Sequence, residues 1–123
     1  MVVKFIIESG EIDSENNIVM VDGVEFKNHT PVSLNFDMDK IICLADVFKE
    51  NGVIMAEADI DEEYFDLYPA TGIQGLEENI NESGGLTWNK TKLHHIGLCV
   101  GKNVDTRIKS IREQIKEQNC PVR

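Results

Sequence analysis

The sequence predicts a mainly β fold, a small β-barrel or strongly curved antiparallel sheet with one C-terminal α-helix, built as a single domain over residues 1–123. Three observations lead there. Asn51-Gly52 stands between two β-rich apolar runs, and that dipeptide supplies the positive φ that both central positions of a type I′ hairpin turn require. Short runs with period-two alternation recur along the chain without a βαβ rhythm. Only near the C-terminus do Ile108, Ile111 and Ile115 recur at the three- and four-residue spacing of an amphipathic helix.

In order, Val3, Phe5 and Ile7 alternate with polar residues and predict a first strand over residues 2–8, ended by Ser9-Gly10. Residues 18–21 read as a short strand, with Asp22-Gly23 as a second hairpin turn into Val24, Glu25 and Phe26. Thr30-Pro31 suits a strand entry, since proline cannot donate to a central ladder, and Val32, Leu34 and Phe36 then share one buried face. After the Asn51-Gly52 turn, Ile54, Ala56, Ala58 and Ile60 face inward, against Met55, Glu57 and Asp59. Residues 61–90 hold Pro69 and glycines at 72, 75, 84 and 85 with no persistent period, and read as a long irregular loop. A strand over residues 91–100 follows, then a helix over about 105–118 with Asp105 as N-cap, stopped by Pro121.

With 22 acidic against 12 basic residues the formal net charge is −10, the wrong sign for neutralising phosphates, so a nucleic-acid partner is not expected. Cys43, Cys99 and Cys120 are odd in number, and the first two lie in apolar runs, which fits free thiols in a reducing compartment. The N-terminus turns polar too quickly for a signal peptide, and no run of apolar residues is long enough to span a bilayer. The expectation is a soluble protein of intracellular origin, with no membrane partner. The sequons at Asn28, Asn81 and Asn89 then carry no meaning.

Few residues advertise chemistry. His94 and His95 are adjacent on a strand and point to opposite faces, so they do not share a metal ion. The acidic run Asp59, Asp61, Glu62, Glu63 and Asp66 lacks the spacing and glycine of a calcium loop and reads as solvated. Gly72 to Gly85 do not follow a phosphate-loop spacing. No catalytic, cofactor-binding or metal-ligating residue is expected. Tyr64, Phe65, Tyr68 and Trp88, four of the eight aromatic side chains, lie in the expected loop and are the candidate partner-binding residues, with loop anchoring as the alternative.

The order of segments VDGVEF, TPVSLNFD, KIICLADV, NGVIMAEADI and KLHHIGLCVGKNVDTRI resembles the head-maturation (prohead) proteases of tailed bacteriophages, from Val19 to Ile108. The last segment carries most of the likeness, with Ile96, Leu98, Val100, Asn103, Asp105, Arg107 and Ile108 in the family's places. Where the family has the histidine of a His-Asp pair this chain has Phe36 before Asp37, and Gly72-Ile73-Gln74-Gly75 stands where the nucleophile segment belongs. Leu67-Tyr68-Pro69-Ala70 followed by Gly72 is also similar to small phage proteins encoded among head genes. These resemblances imply a protease-like β-barrel that has lost its chemistry: a non-enzymatic capsid decoration, auxiliary or head-assembly protein of the virion. The implied partners are the major capsid protein, other virion proteins or a second copy of the chain. The alternatives are a capsid protease with residual activity, using His94 or His95 with Ser83 or Thr87, and an unrelated binding module.

Overall fold

A computed structural model describes residues 1–101, 105 and 107–119; Asn103, Cys120 and Pro121 lie outside the described residues. The strands are β1 (Val2–Glu8), β2 (Ile18–Val19), β3 (Val24–Glu25), β4 (His29–Leu34), β5 (Asp37–Glu50), β6 (Val53–Asp59), β7 (Tyr68–Ile80) and β8 (Leu86–Cys99), followed by helix α1 (Ile111–Asn119). They form one eight-stranded sheet in the order β1-β6-β5-β4-β8-β2, with β3 and β7 also paired to β8. The expected curved sheet with one helix is therefore present. It curls far enough to bring β1 near β7 but stays open between them.

Local sequence accounts for the β1-β6-β5-β4 part. Asn51 and Gly52 have φ of 52° and 79°, and Glu50 faces Val53 across the turn. Val3, Phe5 and Ile7 of β1 pack with Ile54, Ala56 and Ala58 of β6 and with Ala45, Val47, Val32, Ile96 and Leu98 in one core. Helix α1 seals this core with Ile111 and closes the outer edge of β1: the Ile6 N–H donates to Gln114 Oε1 at 2.7 Å, and Gln114 Nε2 donates back to the Ile6 carbonyl at 3.2 Å. A side-chain amide has the donor and acceptor of a peptide group, so Gln114 does for this edge what a neighbouring strand would do. Gln118 Nε2 adds a bond to the Lys4 carbonyl at 2.6 Å.

Several expectations are corrected. Most of residues 61–90 are not a loop: β7 and β8 form a long antiparallel hairpin, leaving only residues 60–67 and the 81–85 turn outside strands. The glycines taken for punctuation are strand positions emptied for rings, since a Cβ on Gly72 would lie 2.5 Å from the His95 imidazole and one on Gly75 would lie 2.6 Å from the Trp88 indole. The sheet is mixed, because β8 runs parallel to β2, β3 and β4 along one edge while β7 holds the other. Asp22-Gly23 belongs to a 3-10 turn (Val21–Gly23) that joins two short strands lying end to end on β8; a Cβ on Gly23 would meet the Asn89 carbonyl oxygen at 1.8 Å.

Phe36 does not continue the inward face of β4. Asn35 and Phe36, with φ of 51° and 61°, are the central residues of a second two-residue turn joining Leu34 to Asp37. The left-handed region is costly for a bulky side chain. The half-buried ring lies on the bare Cα of Gly97, 2.7 Å from where a Cβ would be, and edge-on to His95 at 5.1 Å. The helix begins at Ile111 and not near 105. Ser110 Oγ accepts the Glu113 N–H at 3.3 Å and donates to the Glu113 carboxylate at 3.0 Å, so Ser110 takes the N-cap role expected of Asp105.

Candidate functional site

The seam where the curled sheet fails to close holds the deepest chemistry. β1 ends at Glu8, whose carboxylate accepts the Gly10 N–H at 3.0 Å, and the chain turns back through Gly10 at φ 75°. Asp13 then organises the next turn by accepting the N–H groups of Glu15 and Asn17 at 2.8 and 2.9 Å. Loop 9–17 is fastened on both sides. Ser9 Oγ donates to the Asp105 carboxylate and Arg107 Nη1 to the Ile12 carbonyl at 2.8 Å, while Asn17 Oδ1 accepts the Leu86 N–H at 2.9 Å.

Between these fastenings lies a cleft of about 250 Å³. Ile7, Ile73, Ile108 and the rings of Phe36 and Trp88 wall it, and Glu8, Glu11, Asp13 and Asp105 line its polar end. Burial, helped by the negative charges of Asp105 and Asp13, pushes the Glu8 carboxyl up to about 7 against the pull of the Gly10 and Ser9 N–H groups. Glu8 can therefore hold or release a proton near neutrality. Asp105 is buried but engaged by Ser9, by the Arg107 N–H at 3.0 Å and by the Arg107 guanidinium. Sequence reading passed over Glu8 because an acid at a strand end is ordinarily solvated; the Ser9-Gly10 turn that folds the chain back over it was the available signal.

The candidate partner-binding residues are not brought together. Phe65 is only 4% exposed, with the Arg112 guanidinium over its ring at 5.7 Å, and is corrected to a core residue. Tyr64 packs half-buried against the core, and the half-buried Tyr68 donates its hydroxyl to Glu113 of α1 at 3.4 Å. Phe65 and Tyr68 brace the helix. Trp88 sits apart in the cleft wall, flat over Gly75.

The acidic run is likewise used for assembly. Asp66 binds Arg112 Nε at 2.7 Å and Glu62 lies 3.8 Å from the same guanidinium. His94 points outward to Gln74 Oε1 at 2.9 Å while His95 packs on Phe36, so the two rings do diverge, and His29 pairs with Asp46 at 3.1 Å. Thr87 lies seven residues before His94 on the same strand, roughly 20 Å at the rise of a β-strand, and Ser83 is farther still in the 81–85 turn. Neither hydroxyl is within reach of an imidazole base. Among the described residues no three histidines, cysteines or acids are gathered to ligate one ion, and no helix is long and apolar enough to cross a membrane.

A second feature lies along the edge of β5 that β6 leaves uncovered. The β4–β5 register slips at Ile42, so Ile42 and Cys43 both turn toward the core while Ile41 and Leu44 both face out. Ile41 is 47% exposed, Leu44 60% and Met38 48%. β6 follows β5 only as far as the Asp46–Glu57 pair and then stays with β1, leaving a notch of about 310 Å³ between Ile42, Ile60 and Tyr64 with Asp59 and Asp61 at its rim.

Fold and sites together define a small open-sheet β protein with an acidic cleft at its seam and an apolar, acid-rimmed outer face. Comparison with protein families, curated proteins and solved structures finds no match to this chain.

Proposed function

We propose that the chain is a non-enzymatic structural protein of a tailed-phage head, a decoration, auxiliary or assembly protein that docks on the major capsid protein or another virion component. The observation that carries the reading is the fate of the position before Asp37. In the resembling proteases it holds a catalytic histidine; here it holds Phe36, in a left-handed turn with its ring committed to Gly97 and His95. The chain's own histidines are engaged with Gln74, Phe36 and Asp46. A fold that keeps the strand segments of a protease without its base serves binding. Mass spectrometry of purified particles and procapsids tests this: the chain is expected in stoichiometric amounts in at least one, and its absence from both overturns the reading.

A further inference from the structure

The notch at the open edge of β5 and the exposed stripe beside it form a docking site, and we propose that its occupant is an extended segment of a protein partner, apolar along one side and carrying a lysine or arginine. The inference rests on the docking role proposed above and supplies the surface for it. Past the Asp46–Glu57 pair no strand among the described residues is paired with the β6-side edge of β5 over residues 37–45, so backbone groups on that edge, apart from the Asp39 N–H that donates to Asp37 Oδ1 at 3.0 Å, can take a further strand. An extended segment laid there satisfies them, as peptide partners do at other sheet edges. Ile41, Leu44 and Met38 stand exposed along the same stretch and give it an apolar side.

Charge selects the partner. Asp37, Asp39, Asp46, Glu57 and Asp59 are all exposed around the stripe, and Asp61 stands with Asp59 at the notch, against Lys40, the His29 already paired to Asp46 and the N-terminal ammonium of Met1, 2.7 Å from Asp59 Oδ1, which leaves the surroundings net acidic. A second copy of this acidic chain would bring like charges together, whereas a lysine or arginine stem covers Ile42 and Tyr64 while its head meets Asp59 and Asp61.

The test uses the intact protein, ¹⁵N-labelled, titrated with a blocked alternating Lys-Val peptide and with its Glu-Val counterpart. The Lys-Val peptide is expected to shift amides of residues 38–46 and 59–64 and to bind at least tenfold more tightly than the other. Asp59→Lys with Asp61→Lys, and separately Leu44→Asp, are expected to weaken it at least tenfold at unchanged melting temperature. Equal binding of the two peptides, or shifts elsewhere, overturns the proposal. So does a concentration-dependent dimer abolished by Leu44→Asp, which would assign the face to a second copy. Particle occupancy separates the two readings: a Leu44→Asp chain found on particles at wild-type level refutes this surface and leaves the virion role standing, whereas a wild-type chain missing from particles refutes the role while the peptide titration still reads the surface.

Discussion

Replacing Gln114 with leucine keeps the bulk of a buried helix side chain and removes the amide that closes the edge of β1. Two bonds to Ile6 disappear, at 2.7 and 3.2 Å, together with one from Gln114 Nε2 to the Lys109 carbonyl at 3.0 Å. An unsatisfied buried backbone group costs about 1–3 kcal/mol, and because the Ile6 groups are only partly buried the lower half of that range applies to each. The expected loss is about 2–4 kcal/mol, or roughly 8–16 °C in melting temperature for a chain of this size. Gln118→Leu, which removes a single exposed bond to the Lys4 carbonyl, is the comparison and should cost about 0.5–1 kcal/mol. Hydrogen exchange locates the effect, because the Ile6 amide should pass from protected to rapidly exchanging in Gln114→Leu alone. A variant that melts within 2 °C of wild type with Ile6 still protected would show that the helix amide is not closing the sheet.

Other perturbations probe the seam and the rings. The Glu8 carboxyl titrates near 7 when folded against an ordinary 4.5, so the folded state holds its proton more tightly. The stability this contributes is complete below about 4.5 and is lost as pH rises to about 7, so Glu8→Gln should gain about 2–3 kcal/mol over wild type at about pH 8 and nothing at about pH 4. An equal difference at both pH values in chemical denaturation refutes the assignment. Gly75→Ala forces the indole off the strand, with a red-shifted Trp88 emission and a loss of about 1–3 kcal/mol; unchanged fluorescence would mean that the ring does not lie there. Phe36→Ala should cost only about 1 kcal/mol by thermal melting, not the 3–5 of a fully buried ring, since the side chain is half-buried in a strained turn. Tyr68→Ala should lower stability by about 1–2 kcal/mol while leaving particle occupancy of the folded fraction unchanged; normal melting with lost occupancy would return it to the interface.

What could be read in advance was whatever neighbours in sequence decide. The Asn51-Gly52 turn, the inward faces of β1 and β6 and the isoleucine stripe toward the helix follow from dipeptide preference and periodicity. The Ser110 cap was equally legible in its spacing to Glu113, whereas the carboxylate of Asp105, the expected cap, is spent on Ser9 and Arg107. β7 escaped because its glycines have meaning only beside His95 and Trp88, rings that come from the next strand. The Asn35-Phe36 turn defies the local preference of phenylalanine and is bearable because Gly97, sixty residues later, leaves room for the ring. Glu8 was marked only by the Ser9-Gly10 turn that reverses the chain over it, and the notch at Ile42 depends on a register slip that has no compositional mark.

The place of β8 has a consequence for how this chain must be made. Its partners β2, β3 and β4 are complete within the first thirty-four residues, yet the strand they share begins at Leu86. The meander from β4 through β6, and β1 against β6, involve shorter loops and can assemble while synthesis continues. Pairing on the far edge of β4 must wait for more of the chain, because closing so long a loop costs entropy that only later contacts repay. During that interval Val32 and its neighbours present an apolar strand edge to the cell, and β8, arriving last among the strands, covers β2, β3 and β4 in one step while β7 folds back along its other side.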